Sequence, residues 1–228
     1  LHLAAFSGHR GVADVLLKNG ANVDIVDDLN TTALHLAALN GHRDVADVLL
    51  KNGANANIGN DSNTTALHLA AFSGHRDVAD VLLKNGANVD IVDDLNTTAL
   101  HLAALNGHKN VADVLLNKGA NMDVMTIINH TPLHSAARNG HKDVAELLIK
   151  KGANMDVMTI MTNDTPLHLA ARNGHKDVAE LLIKKGAKVD VRNLENLTPR
   201  QLAVNHGHHN VAKFFGKGNR INIEEQLE

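Results

Sequence analysis

The chain has 228 residues, no cysteine and a formal net charge of −3 at pH 7. Without cysteine it has no disulfide framework, no thiolate nucleophile and no cysteine-based zinc site. The nearly balanced charge argues against general nucleic-acid binding, and no apolar run approaches the roughly 18 residues needed to span a bilayer. The charge is unevenly distributed, because residues 1–124 carry 8 basic and 14 acidic side chains whereas residues 125–228 carry 14 and 11.

The unit that recurs through the chain is clearest at residues 165–187, where the pattern predicts two short helices. Thr165 is a good N-cap, and Pro166 suits the first helical position, where its missing N–H has no helical partner. Gly174 ends the first helix and Gly186 closes the second. Helices this short cannot bury their apolar faces alone, so we expect copies to stack on one another. The apolar positions have helical spacing: Leu167, Ala170 and Ala171, then Val178, Leu181 and Leu182.

The same unit recurs at steps of 33 residues, with one step of 34 caused by an insertion at Thr162. We predict a single array of seven repeats, followed by residues 219–228 as a tail or as the start of a further connector. Leu1 falls at the third residue of a helix, which predicts a start inside a repeat. The repeats are placed at about 1–25, 26–58, 59–91, 92–124, 125–157, 158–191 and 192–218.

Between repeats lie connectors such as residues 22–31, which we call fingers. Their alternating start predicts a short extended arm, and their polar end predicts a turn. An asparagine recurs at the same turn position, and asparagine tolerates the left-handed backbone conformation. The fingers are therefore predicted to be β-hairpin-like projections. The recurring asparagines are Asn30, Asn63, Asn96, Asn129, Asn163 and Asn196.

These motifs resemble the ankyrin repeat family over nearly the whole chain. The first helix reads T-[P/A]-L-H-[L/S]-A-A, a G-H break follows, and the second helix V-A-x-x-L-L ends in G-A-N. The resemblance implies an all-α fold, a curved right-handed solenoid whose first helices and fingers line a concave groove for partner proteins. It also implies that the first-helix histidines join neighbouring repeats by hydrogen bonds. Asparagine replaces the usual finger glycine, and three repeats have alanine for proline.

Thirteen of the 16 histidines form two columns, six in the first helices and seven directly after the glycine that separates the two helices of a repeat. Neighbours within a column are roughly 10 Å apart by helix-packing distance, whereas zinc requires its ligands at about 2 Å. We therefore expect structural histidines and neither a metal nor a cofactor. The exposed pairs Asp27-Asp28 and Asp93-Asp94 lack the closed site that acid–base catalysis needs, so no catalytic residue is predicted.

The candidate contact residues are those that vary where the scaffold does not demand a residue type. Apolar side chains give way to arginine at the ends of the first helices, and exposed aromatic and arginine side chains are typical of interface hot spots. Contact with the next repeat remains an alternative for the two phenylalanines, and mutual packing for the apolar finger tips. The helix-end candidates are Phe6, Leu39, Phe72, Leu105, Arg138 and Arg172. The finger candidates are Asp94, Leu95, Ile127, Ile128, Ile160 and Met161.

The sequence therefore predicts an intracellular, cytoplasmic, non-catalytic scaffold that binds a partner protein through the concave face. We expect no nucleic-acid partner and no membrane insertion. The acidic and basic ends also permit weak head-to-tail association of two copies. Two alternatives stay open: a regulatory or targeting segment of a larger enzyme, toxin or membrane protein, and an engineered or consensus-derived repeat scaffold without a natural ligand.

Overall fold

The computed structural model describes residues 1–216, in which fourteen helices follow one another as pairs. The first helices of the pairs are His2–Phe6 (α1), Ala33–Leu39 (α3), Ala66–Ser73 (α5), Ala99–Leu105 (α7), Pro132–Asn139 (α9), Pro166–Arg172 (α11) and Pro199–Asn205 (α13). The second helices are Arg10–Lys18 (α2), Arg43–Lys51 (α4), Arg76–Lys84 (α6), Lys109–Asn117 (α8), Lys142–Lys150 (α10), Lys176–Lys184 (α12) and His209–Ala212 (α14). A 3-10 turn, Phe214–Gly216, follows α14. The predicted tail or further finger at 219–228 lies outside the described residues.

Each first helix after α1 begins with a reciprocal cap made by a threonine and the residue three positions later. In α3 the Thr32 side chain accepts from the backbone N–H of His35, and His35 Nδ1 accepts from the backbone N–H of Thr32 at 3.1 Å. Two of the orphan donors at the helix start are thereby satisfied. The last repeat keeps the cap with Gln201 in place of histidine. The capping threonines are Thr32, Thr65, Thr98, Thr131, Thr165 and Thr198.

The same histidines join neighbouring repeats, as the resemblance implied. Because Nδ1 accepts a hydrogen bond, Nε2 carries the proton and donates. His35 Nε2 lies 2.9 Å from the carbonyl oxygen of Thr64, and His68 Nε2 lies 3.0 Å from that of Thr97. One buried imidazole therefore caps its own helix and ties down the following finger.

A second histidine column fixes the ends of the first helices. His42 Nε2 is 2.9 Å from the carbonyl oxygen of Phe6, one repeat earlier. The ring of His42 lies directly over Gly8, where an added Cβ would come within 2.6 Å of Nδ1 and where φ is +72°. Glycine is needed at this break for both reasons, because its backbone is left-handed and a neighbouring ring occupies the Cβ position.

Residues Leu1–Val124 form one compact unit, the N-terminal unit. Its first helices α1, α3, α5 and α7 pack in sequence, and its second helices α2, α4, α6 and α8 form a parallel row behind them. Leucines from both rows fill the space between the helices. The largest buried ones are Leu34, Leu49, Leu67, Leu82, Leu100 and Leu115.

Residues 125–216 form a second compact unit, the C-terminal unit. Here α11 packs between α9 and α13, and α12 packs between α10 and α14. Leu133, Leu148, Leu167 and Leu182 occupy the same repeat positions as the buried leucines of the N-terminal unit. In the last repeat Arg200 stands at the first of these positions, and Leu202, two residues later, is buried instead. The predicted all-α class, with stacked helix pairs and short fingers, is confirmed, whereas the repeat boundaries stay predictions.

The fingers are tight turns held by the recurring asparagine. Asn30 has φ of +56°, and its N–H donates to the carbonyl of Asp27 at 3.0 Å. All six predicted asparagines have φ between +54° and +59°. Within residues 1–216, isolated antiparallel bridges such as the one between Val26 and Thr32 are the strand pairing that closes a finger. None of the helices in this range combines the length and apolar content needed to cross a bilayer.

Candidate partner-binding surface

In the N-terminal unit, the ends of the first helices present a row of exposed apolar side chains. Phe6 is 52% exposed and Phe72 49%, and the leucines at the equivalent helix ends, Leu39 and Leu105, are 37% and 38% exposed. We call the surface made by the ends of the first helices and by the fingers the first-helix face. Exposure of about half of each phenylalanine shows that contact with the next repeat leaves much of the ring uncovered.

The backbone beneath this row is held in place. His75 Nε2 lies 3.1 Å from the carbonyl oxygen of Leu39, and His108 Nε2 lies 3.0 Å from that of Phe72. These bonds repeat the contact of His42 with Phe6 one and two repeats further on. The apolar side chains are thus carried on helix ends that lose little freedom when a ligand binds.

The fingers of the N-terminal unit are acidic and joined edge to edge. Asp27 Oδ1 accepts from the backbone N–H groups of Leu29 and Thr31, each at 2.9 Å. Hydrogen bonds from the backbone of Thr31 and then Leu29 lower the pKa of Asp27, so it stays ionised. The predicted contact residue Asp94 accepts from Asn63 Nδ2 at 2.6 Å, and its neighbour Leu95 is 56% exposed. Asp94 therefore has a structural partner in the preceding finger.

In the C-terminal unit the tips of the first two fingers are apolar and exposed. Ile127 is 61% exposed, Ile128 40%, Ile160 56% and Met161 71%. The two fingers meet through their backbones, because the Ile160 N–H lies 3.5 Å from the carbonyl of Ile128. More than half of the surface of Ile127, Ile160 and Met161 faces solvent, which makes these side chains available to a ligand.

The inserted residue at Thr162 widens one finger and changes what lies at its base. Asn163 N–H bonds to the carbonyl of Thr159, four residues back, whereas Asn30 bonds to Asp27, three residues back. Asp164 then occupies the position that Thr31 holds in an earlier repeat, eight residues before the end of the first helix. The carboxylate of Asp164 is completely buried.

Three donors surround the buried carboxylate of Asp164. Thr162 Oγ1 and Asn193 Nδ2 each lie 2.8 Å from a carboxylate oxygen, and Arg172 Nη2 lies 3.1 Å away. Arg172 also reaches Glu195 at 3.2 Å. Because Asp164 is buried, removing its cation costs far more than breaking a surface ion pair. The guanidinium of Arg172, 25% of whose side chain is exposed, is thereby fixed at the end of α11.

Two stacked histidines lie beside this cluster. The rings of His130 and His134 are 5.6 Å apart, with 12° between their planes. Burial lowers the pKa of His134 to about 4, helped by the neighbouring His130 and opposed by backbone carbonyls of Asp164 and Val157. The pKa of His130 is lowered by burial and by the charge of Arg138. Both rings are neutral at pH 7.

This arrangement predicts that acid destabilises the protein through His134. In the unfolded chain His134 is protonated below about pH 6.5, whereas in the folded chain it is protonated only near pH 4. The contribution of neutral His134 to the free energy of unfolding is therefore complete above pH 6.5 and is lost as the pH falls towards 4. The loss is about 3 kcal/mol at its maximum. His134→Gln retains the helix cap, because Gln201 caps α13 in the same way. Urea unfolding of both proteins at pH 7.5, 6, 5 and 4.5 should give a shallower pH dependence for the variant, whereas parallel curves would contradict the assignment.

A cleft of about 180 Å³ opens between the fingers and first helices of the C-terminal unit. It brings together four predicted contact residues from two repeats, Ile128, Arg138, Met161 and Arg172. The structure adds Asp164 and His130, which sequence reasoning missed as parts of a site. The sequence does contain a signal for them, because His130 and Asp164 each stand directly before a capping threonine, where earlier repeats have a second threonine. The full lining is Ile128, His130, Arg138, Thr159, Met161, Thr162, Asp164, Leu169, Arg172 and Asn173.

Within residues 1–216, no group of three or more histidine, aspartate or glutamate side chains could hold a metal ion. Histidines of both columns bond to backbone carbonyls, for example His2 to Thr31 and His175 to Arg138. These groups serve the scaffold.

Comparison with known proteins identifies the fold. The family profile described as ankyrin repeats (3 copies) matches residues 1–93, 85–159 and 156–225. The chain belongs to the ankyrin repeat family. Among solved structures it is similar to the crystal structure of the human ASB11 ankyrin repeat domain, with 33% sequence identity and a TM-score of 0.80, over 89% of this chain and 90% of that one. Comparison with curated protein sequences gives no significant match.

Ankyrin repeats generally mediate protein–protein interaction and are generally non-catalytic. In a member of this family the exposed surface of the repeats is therefore the expected binding site. The first-helix face of the N-terminal unit has apolar helix ends and acidic fingers. In the first two repeats of the C-terminal unit the helix ends carry arginine and the finger tips are apolar.

Proposed function

We propose that this ankyrin repeat chain is a non-catalytic scaffold that binds a partner protein through its first-helix face. The observation that carries the proposal is the row of half-exposed apolar side chains at successive helix ends, from Phe6 to Leu105. An exposed apolar row of this kind lowers the solubility of a protein unless a ligand covers it. Aromatic side chains are also typical of interface hot spots.

The scaffold supports binding because it is preorganised. The carbonyls of Phe6, Leu39 and Phe72 are held by histidines of the following repeats, and the fingers are cross-linked by side-chain bonds such as Asn30 to Asp61 at 2.6 Å. Little conformational entropy is left to lose when a partner docks. The proposed helix-end contacts are Phe6, Leu39, Phe72, Leu105, Arg138 and Arg172. The proposed finger contacts are Asp94, Leu95, Ile127, Ile128, Ile160 and Met161.

Selection from a random peptide library tests the proposal with any ligand that the surface accepts. Twelve-residue peptides displayed on phage are selected against the folded chain, and the strongest binders are synthesised with a fluorescent label. Their affinity is then measured by fluorescence polarisation for the wild type and for Phe6→Ser plus Phe72→Ser. We expect the double variant to bind at least about tenfold more weakly, because it removes two aromatic anchors.

A matched control distinguishes binding at the first-helix face from non-specific binding to exposed apolar side chains. Val12 and Val15 are 51% and 58% exposed on α2, at the free end of the row of second helices, whereas the equivalent Val45 and Val48 of the next repeat are buried. Val12→Ser plus Val15→Ser therefore removes comparable apolar surface away from the first-helix face. This control should bind as the wild type does. Loss of binding in the control with retention in the phenylalanine variant would contradict the proposed face.

A further inference from the structure

The cleft of the C-terminal unit differs in chemistry from the equivalent positions in the N-terminal unit. In the N-terminal unit, a threonine at the base of the finger stands eight residues before a leucine or phenylalanine at the helix end, as in Thr31 and Leu39 or Thr64 and Phe72. In the first two repeats of the C-terminal unit the same pairs are His130 with Arg138 and Asp164 with Arg172. Two arginines from successive first helices therefore line one cleft.

The buried carboxylate of Asp164 in this cleft already has hydrogen-bond and ion-pair partners. Asp164 is fully buried and takes hydrogen bonds from Thr162 and Asn193 as well as the ion pair with Arg172. The guanidinium of Arg172 contacts both Asp164 and Glu195. Arg172 and Asp164 therefore neutralise each other and form a fixed polar wall, whereas Glu195, 57% of whose side chain is exposed, keeps a negative charge beside them.

Arg138 is different, because it is exposed and its guanidinium has no ion pair or hydrogen bond within residues 1–216. Its backbone is held, since its carbonyl accepts from His175 Nε2 at 2.9 Å. The adjacent His130 is neutral and so adds no competing charge. The cleft therefore presents one available cation on an anchored helix end.

Apolar side chains form the rest of the wall. Leu169 is buried at the base of the cleft, and Ile128 and Met161 stand exposed at its rim. A ligand that matches these features carries one anion next to one apolar group, because the anion pairs with the guanidinium while the apolar group covers the rim.

We propose that this cleft binds an acidic side chain of the partner protein, with an adjacent apolar residue packed on Ile128 and Met161. The inference rests on the proposed function and specifies what the partner presents to the first helices and fingers of the C-terminal unit. Arg138 is the recognition residue, and Asp164 positions Arg172 as the opposite wall.

The same displayed library tests this inference when it is selected against three proteins. These are the wild type, Arg138→Gln, and the control Lys142→Gln, which removes one exposed positive charge from α10, a second helix. Peptides from the wild type and the control should be enriched in aspartate or glutamate beside leucine, isoleucine or phenylalanine. Arg138→Gln should bind those peptides about ten- to a hundredfold more weakly, as expected for loss of a charged hydrogen bond. Replacing the acidic residue of the peptide by its amide should cause a similar loss in the wild type and the control, and little loss in Arg138→Gln.

The outcomes separate this inference from the proposed function. If peptides bind and depend on Phe6 and Phe72 but show no acidic preference, or lose equal affinity with both charge variants, the cleft proposal is overturned and the function stands. If no peptide is selected at all, both fail. Light scattering over a range of concentrations tests whether a second copy of the chain fills the cleft. Oligomers that form with the wild type but not with Arg138→Gln would show that it does, and would overturn the proposal.

Discussion

Replacing Leu82 by alanine is expected to lower the free energy of unfolding by about 2–5 kcal/mol. Leu82 lies on α6 and is fully buried between the two rows of helices. Truncation removes apolar contacts and leaves a cavity that helices held by several neighbours cannot close. The loss is measured by urea unfolding followed by circular dichroism.

Leu95→Ala is the matched control for this substitution. It makes the same chemical change in the same unit at a side chain that is 56% exposed on a finger. We expect a change within about 0.5 kcal/mol for the control. Equal destabilisation by the two variants would contradict the placement of Leu82 in the core or of Leu95 at the surface.

The second large effect is expected at the buried ion pair. Arg172→Leu leaves the carboxylate of Asp164 buried without its cation, which costs about 3–5 kcal/mol. Thr162 and Asn193 still donate to that carboxylate, but neither supplies a positive charge. The free energy of unfolding is measured at pH 7 by urea titration.

The stability lost in Arg172→Leu is expected to return when Asp164 is also replaced by the residue that earlier repeats have at that position. Asp164→Thr combined with Arg172→Leu recreates the pair Thr31 and Leu39, which is uncharged and occurs in the N-terminal unit. The double variant should recover most of the stability that Arg172→Leu alone removes, with a coupling energy of about 2 kcal/mol or more. Additive effects of the two substitutions would show that Asp164 and Arg172 do not act as a pair.

Much of the fold follows from local sequence rules that recur from repeat to repeat. Thr-x-x-His begins a first helix because the histidine both caps the helix and bonds to the next finger, as Thr32 and His35 show. The asparagine at Asn30 predicts a left-handed turn, and the structure has φ of +56° there. Such features are predictable because they depend on a few neighbouring residues.

The candidate site was predictable in part. The sequence indicated the helix ends and finger tips, and the structure places Phe6 and Phe72 half-exposed and Met161 largely exposed. The ion pair of Arg172 with Asp164 was not predicted. Whether an arginine points into solvent or onto a buried carboxylate depends on the path of a finger widened by one residue, and repeat spacing alone does not give that path.

A hydrogen–deuterium exchange footprint tests the central claim most directly. The chain is compared with and without a saturating selected peptide, and protection is measured along both rows of helices. Our account predicts that protection is concentrated in the fingers and at the ends of first helices such as Ala66–Ser73 (α5) and Pro132–Asn139 (α9). Protection centred on second helices such as Arg76–Lys84 (α6), with the fingers unchanged, would contradict binding through the first-helix face.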